Sequence, residues 1–333
     1  MGSVKDLRHL LPPEYKNREY GTVPPDTTRE PFRWVSEISY KNVHRIVARG
    51  YDTTELMMAG YGLVDVLFVV FQSRIPTIEE AKMLDYILIM ALEDGLSSPA
   101  VISRIVAKSN AILTQAAAAS VLAFGHTYGA FQDFGNMLNN YLSRAEKEGK
   151  TLEEIAEILV KEIPLDKILG VSDLCLKDPA PKRILQRAED LGVAGKYIKF
   201  IKEIAKAAQK VGEKPIDVDM LGAIGATMMD LGFSPEATWG IIAVTRAFAA
   251  GAHYIEEVER GGFLKYGQTL TPKELYDGPS EKPVPPIEER NNIAKPAVCR
   301  TLEEWKKAIT ERQKLYGSGW KALASQLEEN EEK

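Results

Sequence analysis

The chain has 333 residues and a formal net charge of −5, with 42 lysines and arginines against 47 aspartates and glutamates. A hydrophobic fraction of 45% supports a full core in one large domain or two unequal ones. Charges of both signs are mixed along the sequence without the basic stripe that phosphate-backbone binding requires, which argues against a nucleic-acid partner.

Residues 1–34 are dense in proline and charge with little periodicity, and read as an N-terminal arm running over the surface. Within them, Met1–Arg8 lacks the apolar core of a secretion signal, and no apolar stretch is long enough to cross a bilayer, so a cytoplasmic protein is expected. Asp52 followed by Glu55 has the form of a capping box, and a helical pattern runs from Thr54 through the apolar Val66–Phe71 stretch to Pro76. Further helix starts stand at Thr77/Glu80, Thr151/Glu154 and Thr301/Glu304, and at Ser234 with Pro235, because proline at the first helical position loses no hydrogen bond. Residues 111–124 are rich in alanine and lead into Gly125, a composition that lets helix backbones approach closely. Apolar residues recur at helical spacing over 194–210 and 238–258, and no run alternates with the period of two that a half-buried strand needs. The fold class is therefore essentially all-α. The segment Thr269–Pro296 is again rich in proline and charge, and Thr301–Lys333 reads as one helix with an acidic frayed end.

The two cysteines, Cys175 and Cys299, are far apart, and His9, His44, His126 and His253 make no spacing typical of zinc. A reducing compartment and no metal are expected.

Several segments, taken in order, carry a resemblance. Arg49-Gly50-Tyr51-Asp52, Glu55-Leu56, Val64–Phe68 and Arg74-Ile75-Pro76-Thr77 are followed by Ile87–Gly95 with Glu93-Asp94-Gly95, and by Ser103–Ala107. Phe124-Gly125-His126-Thr127-Tyr128-Gly129-Ala130 forms a glycine-containing turn with Asp133 after it. Lys214–Asp219, then Arg246 with Gly251, Ala252, His253 and Glu256, and finally Leu275–Pro279 and Pro286–Arg290 complete the set. Together they resemble the citrate synthase and citryl-CoA lyase superfamily over roughly residues 40–290, and the turn is similar to that of the citryl-CoA lyase module of ATP citrate lyase.

The resemblance implies a citrate-synthase-like large helical domain, residues 35–134 and 231–333, with a smaller helical domain, residues 135–230, inserted into it. It also implies coenzyme A as the thioester substrate and a homodimer, with a higher oligomer or hetero-oligomer as alternatives. The partners would be an acyl-CoA and a small carbonyl or carboxylate compound, and the reaction the making or breaking of a carbon–carbon bond. By match of motif, Asp219 is the catalytic base, while His126 or Tyr128 is the donor to the enolate oxygen. Arg246 binds a substrate carboxylate. Gly170, Lys177 and Lys214 line the CoA arm. Taken alone, Asp219 also reads as an ordinary helix N-cap and His126 as a structural turn residue.

The sequence departs from the pattern at several of these positions. Asp173 or Ser172 stands in place of the ketone-polarising histidine, and Ala180 in place of a substrate arginine that Lys182 or Arg183 would have to replace. Glu93-Asp94 occupies an aspartate–histidine position, making Glu93 a candidate substrate contact. Thr271-Pro272 replaces an arginine–proline pair. Losing bidentate arginine contacts weakens recognition of a dicarboxylate, so a substrate less acidic than citrate is expected. Two alternatives stand beside the lyase or acyltransferase reading: a noncatalytic or regulatory subunit, and a CoA-thioester hydrolase using Asp173 and Asp219.

Overall fold

The computed structural model describes residues 35–261 except Val43, Asp94 and 174–177, together with 283–292, 301–304, 306, 307, 310 and 314. The chain divides into two compact units, Met1–Tyr266 and Gly267–Lys333.

The first unit opens with an antiparallel sheet of β1 (Ser39–Lys41), β2 (Ile46–Ala48) and β3 (Tyr51–Asp52), in which Tyr40 pairs with Val47 and Ala48 with Tyr51. Twelve helices follow among the described residues: α1 (Thr53–Met58), α2 (Leu63–Gln72), α3 (Ile78–Leu92), α4 (Ser98–Lys108), α5 (Leu113–Ala123), the single turn α6 (His126–Gly129), α7 (Phe131–Glu148), α8 (Leu152–Glu162), α9 (Ala180–Asp190), α10 (Lys196–Val211), α11 (Met220–Asp230) and α12 (Pro235–Gly261). A two-residue ladder interrupts them, with β4 (Val171–Ser172) antiparallel to β5 (Asp217–Val218). The all-α class expected from periodicity holds, and the strands are too short for a period-two signal to register.

Thr77 and Thr151 each accept a hydrogen bond from the N–H three residues on, while Glu80 and Glu154 accept from the threonine N–H in return. In the second unit Thr301 and Glu304 make the same exchange. Asp52 caps α1 through the Thr54 and Glu55 N–H groups, but Glu55 turns instead to Arg45 at 3.3 Å. The helix expected to run unbroken from Thr54 through Phe71 is in fact two, because Gly60 adopts φ +94° and α2 begins afresh after Gly62. It stops before Pro76, at Ser73 in the left-handed region.

α12 packs against α3, α4, α5 and α7, and α10 packs against α8 and α11. Between them α11 is buried on all sides over Gly222–Met229, as a helix at the centre of a core must be. One continuous core joins Phe68, Met83 and Ile87 to Phe134, Ile155, Ile184, Phe200 and Ile204. No helix among the described residues is long and apolar enough to cross a membrane. In the second unit, residues 283–286 are irregular and Ile287–Asn292 forms a 3-10 turn, with Pro283–Asn291 exposed as expected for surface chain. The N-terminal arm, and the rest of 269–296 and 301–333, lie outside the described residues.

Candidate active site

Two glycines bring the central carboxylate into position. Gly170 has φ +85°, and a Cβ there would lie 2.5 Å from the Phe134 ring, so only glycine fits. A Cβ on Gly222 would collide with the Gly170 carbonyl, so the start of α11 lies directly on the chain before β4. That close approach lets the Asp219 N–H donate to the Gly170 carbonyl at 3.0 Å, immediately after the Val171–Val218 pairing.

Asp219 is the N-cap of α11 and accepts from the Gly222 N–H at 3.0 Å. Burial pushes its carboxyl above the usual carboxylate range, and the hydrogen bonds from Gly222 and Leu221 only partly offset this. The buried Ser172 hydroxyl stands beside it and favours the charged form without completing a hydrogen bond of good geometry. A desolvated carboxyl of raised proton affinity is a better proton acceptor than an ordinary solvated carboxylate.

Asp219 opens onto a cleft of about 320 Å³ whose lining includes Gly170, Ser172, Asp173, Lys214 and the apolar Leu169 and Ile216. At its rim the Lys214 ammonium lies 3.7 Å from the Asp173 carboxylate, both largely exposed. Four residues singled out from the sequence, Asp219, Asp173, Gly170 and Lys214, therefore share one cleft. Lys182 lies outside it, 3.8 Å from Asp217, and Arg183 is exposed on α9 without lining it. Lys177 is outside the described residues.

His126 and Arg246 do not line this cleft either. His126 begins α6, with Nδ1 3.3 Å from Asp133 and its ring set edge-on to Trp239 at 5.0 Å. Trp239 donates from Nε1 to the Phe124 carbonyl, and a Cβ at Gly129 would strike both aromatic rings, which accounts for the glycine in this turn. The side chain of Tyr128 is outside the described residues.

A second polar centre joins α3, α4 and α12. Glu93, at the C-cap of α3, lies 3.2 Å from His253 Nε2, and Arg104 Nη2 lies 3.1 Å from His253 Nδ1. Arginine can only donate, so Nδ1 accepts and Nε2 carries the proton directed at Glu93. Arg104 also binds Glu256 and, at 2.7 Å, Glu257, which Lys108 holds from the other side at 2.6 Å. Arg246 is half-buried. Burial weakens its hold on its proton, and the charge of Glu93 acts in the opposite sense. Among the described residues no group of three or more histidines, cysteines or acids is placed to hold a metal.

Residues 63–266, well over half of the chain, match the family model for the C-terminal domain of citrate synthase. The chain belongs to the citrate synthase family. Its fold is similar to citryl-CoA lyase of Hydrogenobacter thermophilus, at 23% identity and TM-score 0.64, covering 78% of this chain and 99% of that one. ATP citrate lyase of Methanosaeta concilii, whose structure holds (3S)-citryl-CoA, matches at 16% identity and TM-score 0.57 over 85% of this chain. Here the chain spans about half of the relative, 48% of its length. Citrate synthase of Thermoplasma acidophilum, in a ternary complex with carboxymethyl-CoA and oxaloacetate, matches at 21% identity and TM-score 0.53, over 69% of this chain and 60% of that one. No curated protein matches the sequence.

Within this family member, Arg104 is the participant that sequence reasoning missed. An arginine inside an amphipathic helix gives no sign that it will meet His253 and two glutamates about 150 positions later. The i,i+3 and i,i+4 spacing of His253, Glu256 and Glu257 is the one local hint, because it gathers three polar groups on one side of α12.

Proposed function

We propose that this chain makes or breaks a carbon–carbon bond at the α-carbon of a CoA thioester. Asp219 takes the proton from that carbon, the resulting enolate attacks a carbonyl carbon, and the new alkoxide takes a proton from solvent; in the cleaving direction the hydroxyl gives its proton to solvent, the carbon–carbon bond breaks, and Asp219 returns its proton to the released enolate. The observation that carries this reading is the half-buried, proton-hungry carboxyl of Asp219 at the wall of a cleft lined by Gly170, Asp173 and Lys214. The thioester arm lies along Gly170 and Lys214. His126 or Tyr128 supplies the donor to the enolate oxygen, and Asp173 stands where the carbonyl compound is held. Arg246 takes a carboxylate of that compound. Glu93 already sets a negative charge near Arg246, which supports a carbonyl partner less acidic than citrate.

Residues 135–230 are read, as the resemblance implies, as a small inserted domain in a homodimer whose clefts lie between the domains. An apolar stripe supports the dimer: Val244, Phe248 and Ile255 of α12 and Leu122 of α5 are exposed, Leu122 at 86%. α5 and α12 run antiparallel, with Trp239 at Phe124 and Tyr254 at Ala111, so these side chains belong to one helical layer.

Thermal stabilisation by CoA and a panel of acyl-CoA thioesters tests the reading, because a ligand that binds only the folded state raises its apparent stability. A shift with at least one thioester is expected; no shift with any of them favours the noncatalytic subunit. Asp173 and Asp219 on one cleft also suit activation of water. Release of free CoA without a carbonyl cosubstrate would establish hydrolysis in place of carbon–carbon chemistry.

A further inference from the structure

Glu93 stands at the C-cap of α3, where a carboxylate faces the negative end of the helix dipole and costs the helix stability rather than adding to it. What holds it there comes from other elements. Arg246 and His253 are seven positions apart on α12, two turns along one helical face, and α12 packs against both α3 and α4. The His253 side chain, 13% exposed, is held at both nitrogens, with Arg104 donating to Nδ1 at 3.1 Å and Nε2 donating to Glu93 Oε1 at 3.2 Å. Arg104 is anchored in turn by Glu256 and Glu257, and Lys108 reaches Glu257 at 2.6 Å. The imidazole is thereby fixed in one orientation, and it fixes one oxygen of Glu93 beyond the end of α3. From there the carboxylate acts on the half-buried guanidinium of Arg246, so the cation of the proposed carboxylate contact is partly offset before any substrate arrives. The Asp219 cleft does not restore the balance. Asp166, Asp173 and Asp219 line it, and Lys214, the one ammonium among its described lining residues, lies 3.7 Å from Asp173.

Resting on the carbon–carbon reading above, we propose that Glu93 determines specificity for the carbonyl partner: held by Arg104 and His253 beside Arg246, it admits an oxo acid with one carboxylate and rejects one with two. One carboxylate takes up what remains of the Arg246 charge. A second meets the like charges of Glu93 and Asp173, a repulsive element of the kind that separates close analogues. Arg104 and His253 are positioning residues here, acting through Glu93.

Pyruvate and oxaloacetate differ by one carboxylate and isolate this property. Both are titrated calorimetrically into the full chain as wild type, Glu93→Gln and Glu93→Asp, with circular dichroism to confirm that each variant is folded. Wild type is expected to bind pyruvate at least about tenfold more tightly than oxaloacetate. Glu93→Gln, which removes the charge and keeps the shape, should bind oxaloacetate at least about tenfold more tightly than wild type does, whereas Glu93→Asp, which retains the charge, should keep the preference for pyruvate. A wild type that prefers oxaloacetate, binds the two alike or binds neither overturns the proposal. So does a Glu93→Gln variant with the wild-type preference, or a folded Glu93→Asp variant without it. Deuterium exchange by wild type at the α-carbon of the acyl-CoA panel is read alongside. Exchange together with an unaltered preference in Glu93→Gln removes the role of Glu93 alone; no exchange with any thioester removes the carbon–carbon reading beneath it.

Discussion

Asp219 caps α11 with the same carboxyl that faces the cleft, so its structural and chemical roles are separable by one substitution. Asparagine keeps an oxygen for the Gly222 N–H but cannot take up a proton as a carboxylate does. Asp219→Asn is therefore expected to stay folded while turnover falls by about 10²–10⁴-fold. Stability follows the raised proton affinity. A carboxyl whose folded-state pKa lies above its unfolded value favours folding while protonated, and that contribution is lost as pH rises from the ordinary aspartate range through the folded value. Thermal melts across pH 4–8 should show the variant gaining on wild type as pH rises, with the smallest difference at the acid end. A variant that loses stability at neutral pH would mean that the charge of Asp219 supports the fold. From the sequence, the cap at Asp219 was legible. Its burial was not, because that depends on the Gly170–Gly222 approach across about fifty residues.

At the scale of elements, capping explains what was readable and pairing explains what was not. Thr77, Thr151 and Thr301 announce their helices through contacts three residues apart, and each is found in place. The break between α1 and α2 depends on the left-handed Gly60, which the apolar pattern runs straight across. β4 and β5 are two residues each and pair over a separation of 47 positions, so neither has a local signature. Val171 and Ser172 of β4 nevertheless line the cleft, and β5 leads directly into Asp219. Gly222→Ala tests this element directly, since its methyl would strike the Gly170 carbonyl and separate β4 from the start of α11. A loss of about 1–3 kcal/mol in denaturant unfolding is expected, the range for overpacking, together with weakened thioester binding. Alanine at the open Gly240, where a Cβ meets nothing within 4 Å, serves as the control and should be tolerated.

Over the whole molecule, the family resemblance carried the order of the motifs, and the structure joins Asp219, Asp173, Gly170 and Lys214 in one cleft while His126 and Arg246 stand outside it. Which of the motif residues share a cleft depends on contacts between distant segments, which local periodicity does not encode. If the α5–α12 stripe is a dimer face, Phe248→Asp should give a folded monomer by sedimentation, since a buried unpaired charge is costly at an apolar interface. An unchanged sedimentation coefficient would remove that face from consideration. Proton transfer by Asp219 at the α-carbon of a CoA thioester can be followed by hydrogen exchange. The acyl-CoA that most stabilises the chain is incubated with it in D₂O, and deuterium at the α-carbon is followed by mass spectrometry. Catalysed exchange by wild type is expected, with a rate at least about a hundredfold lower for Asp219→Asn; no exchange by wild type, or equal exchange by both, would rule Asp219 out as the base.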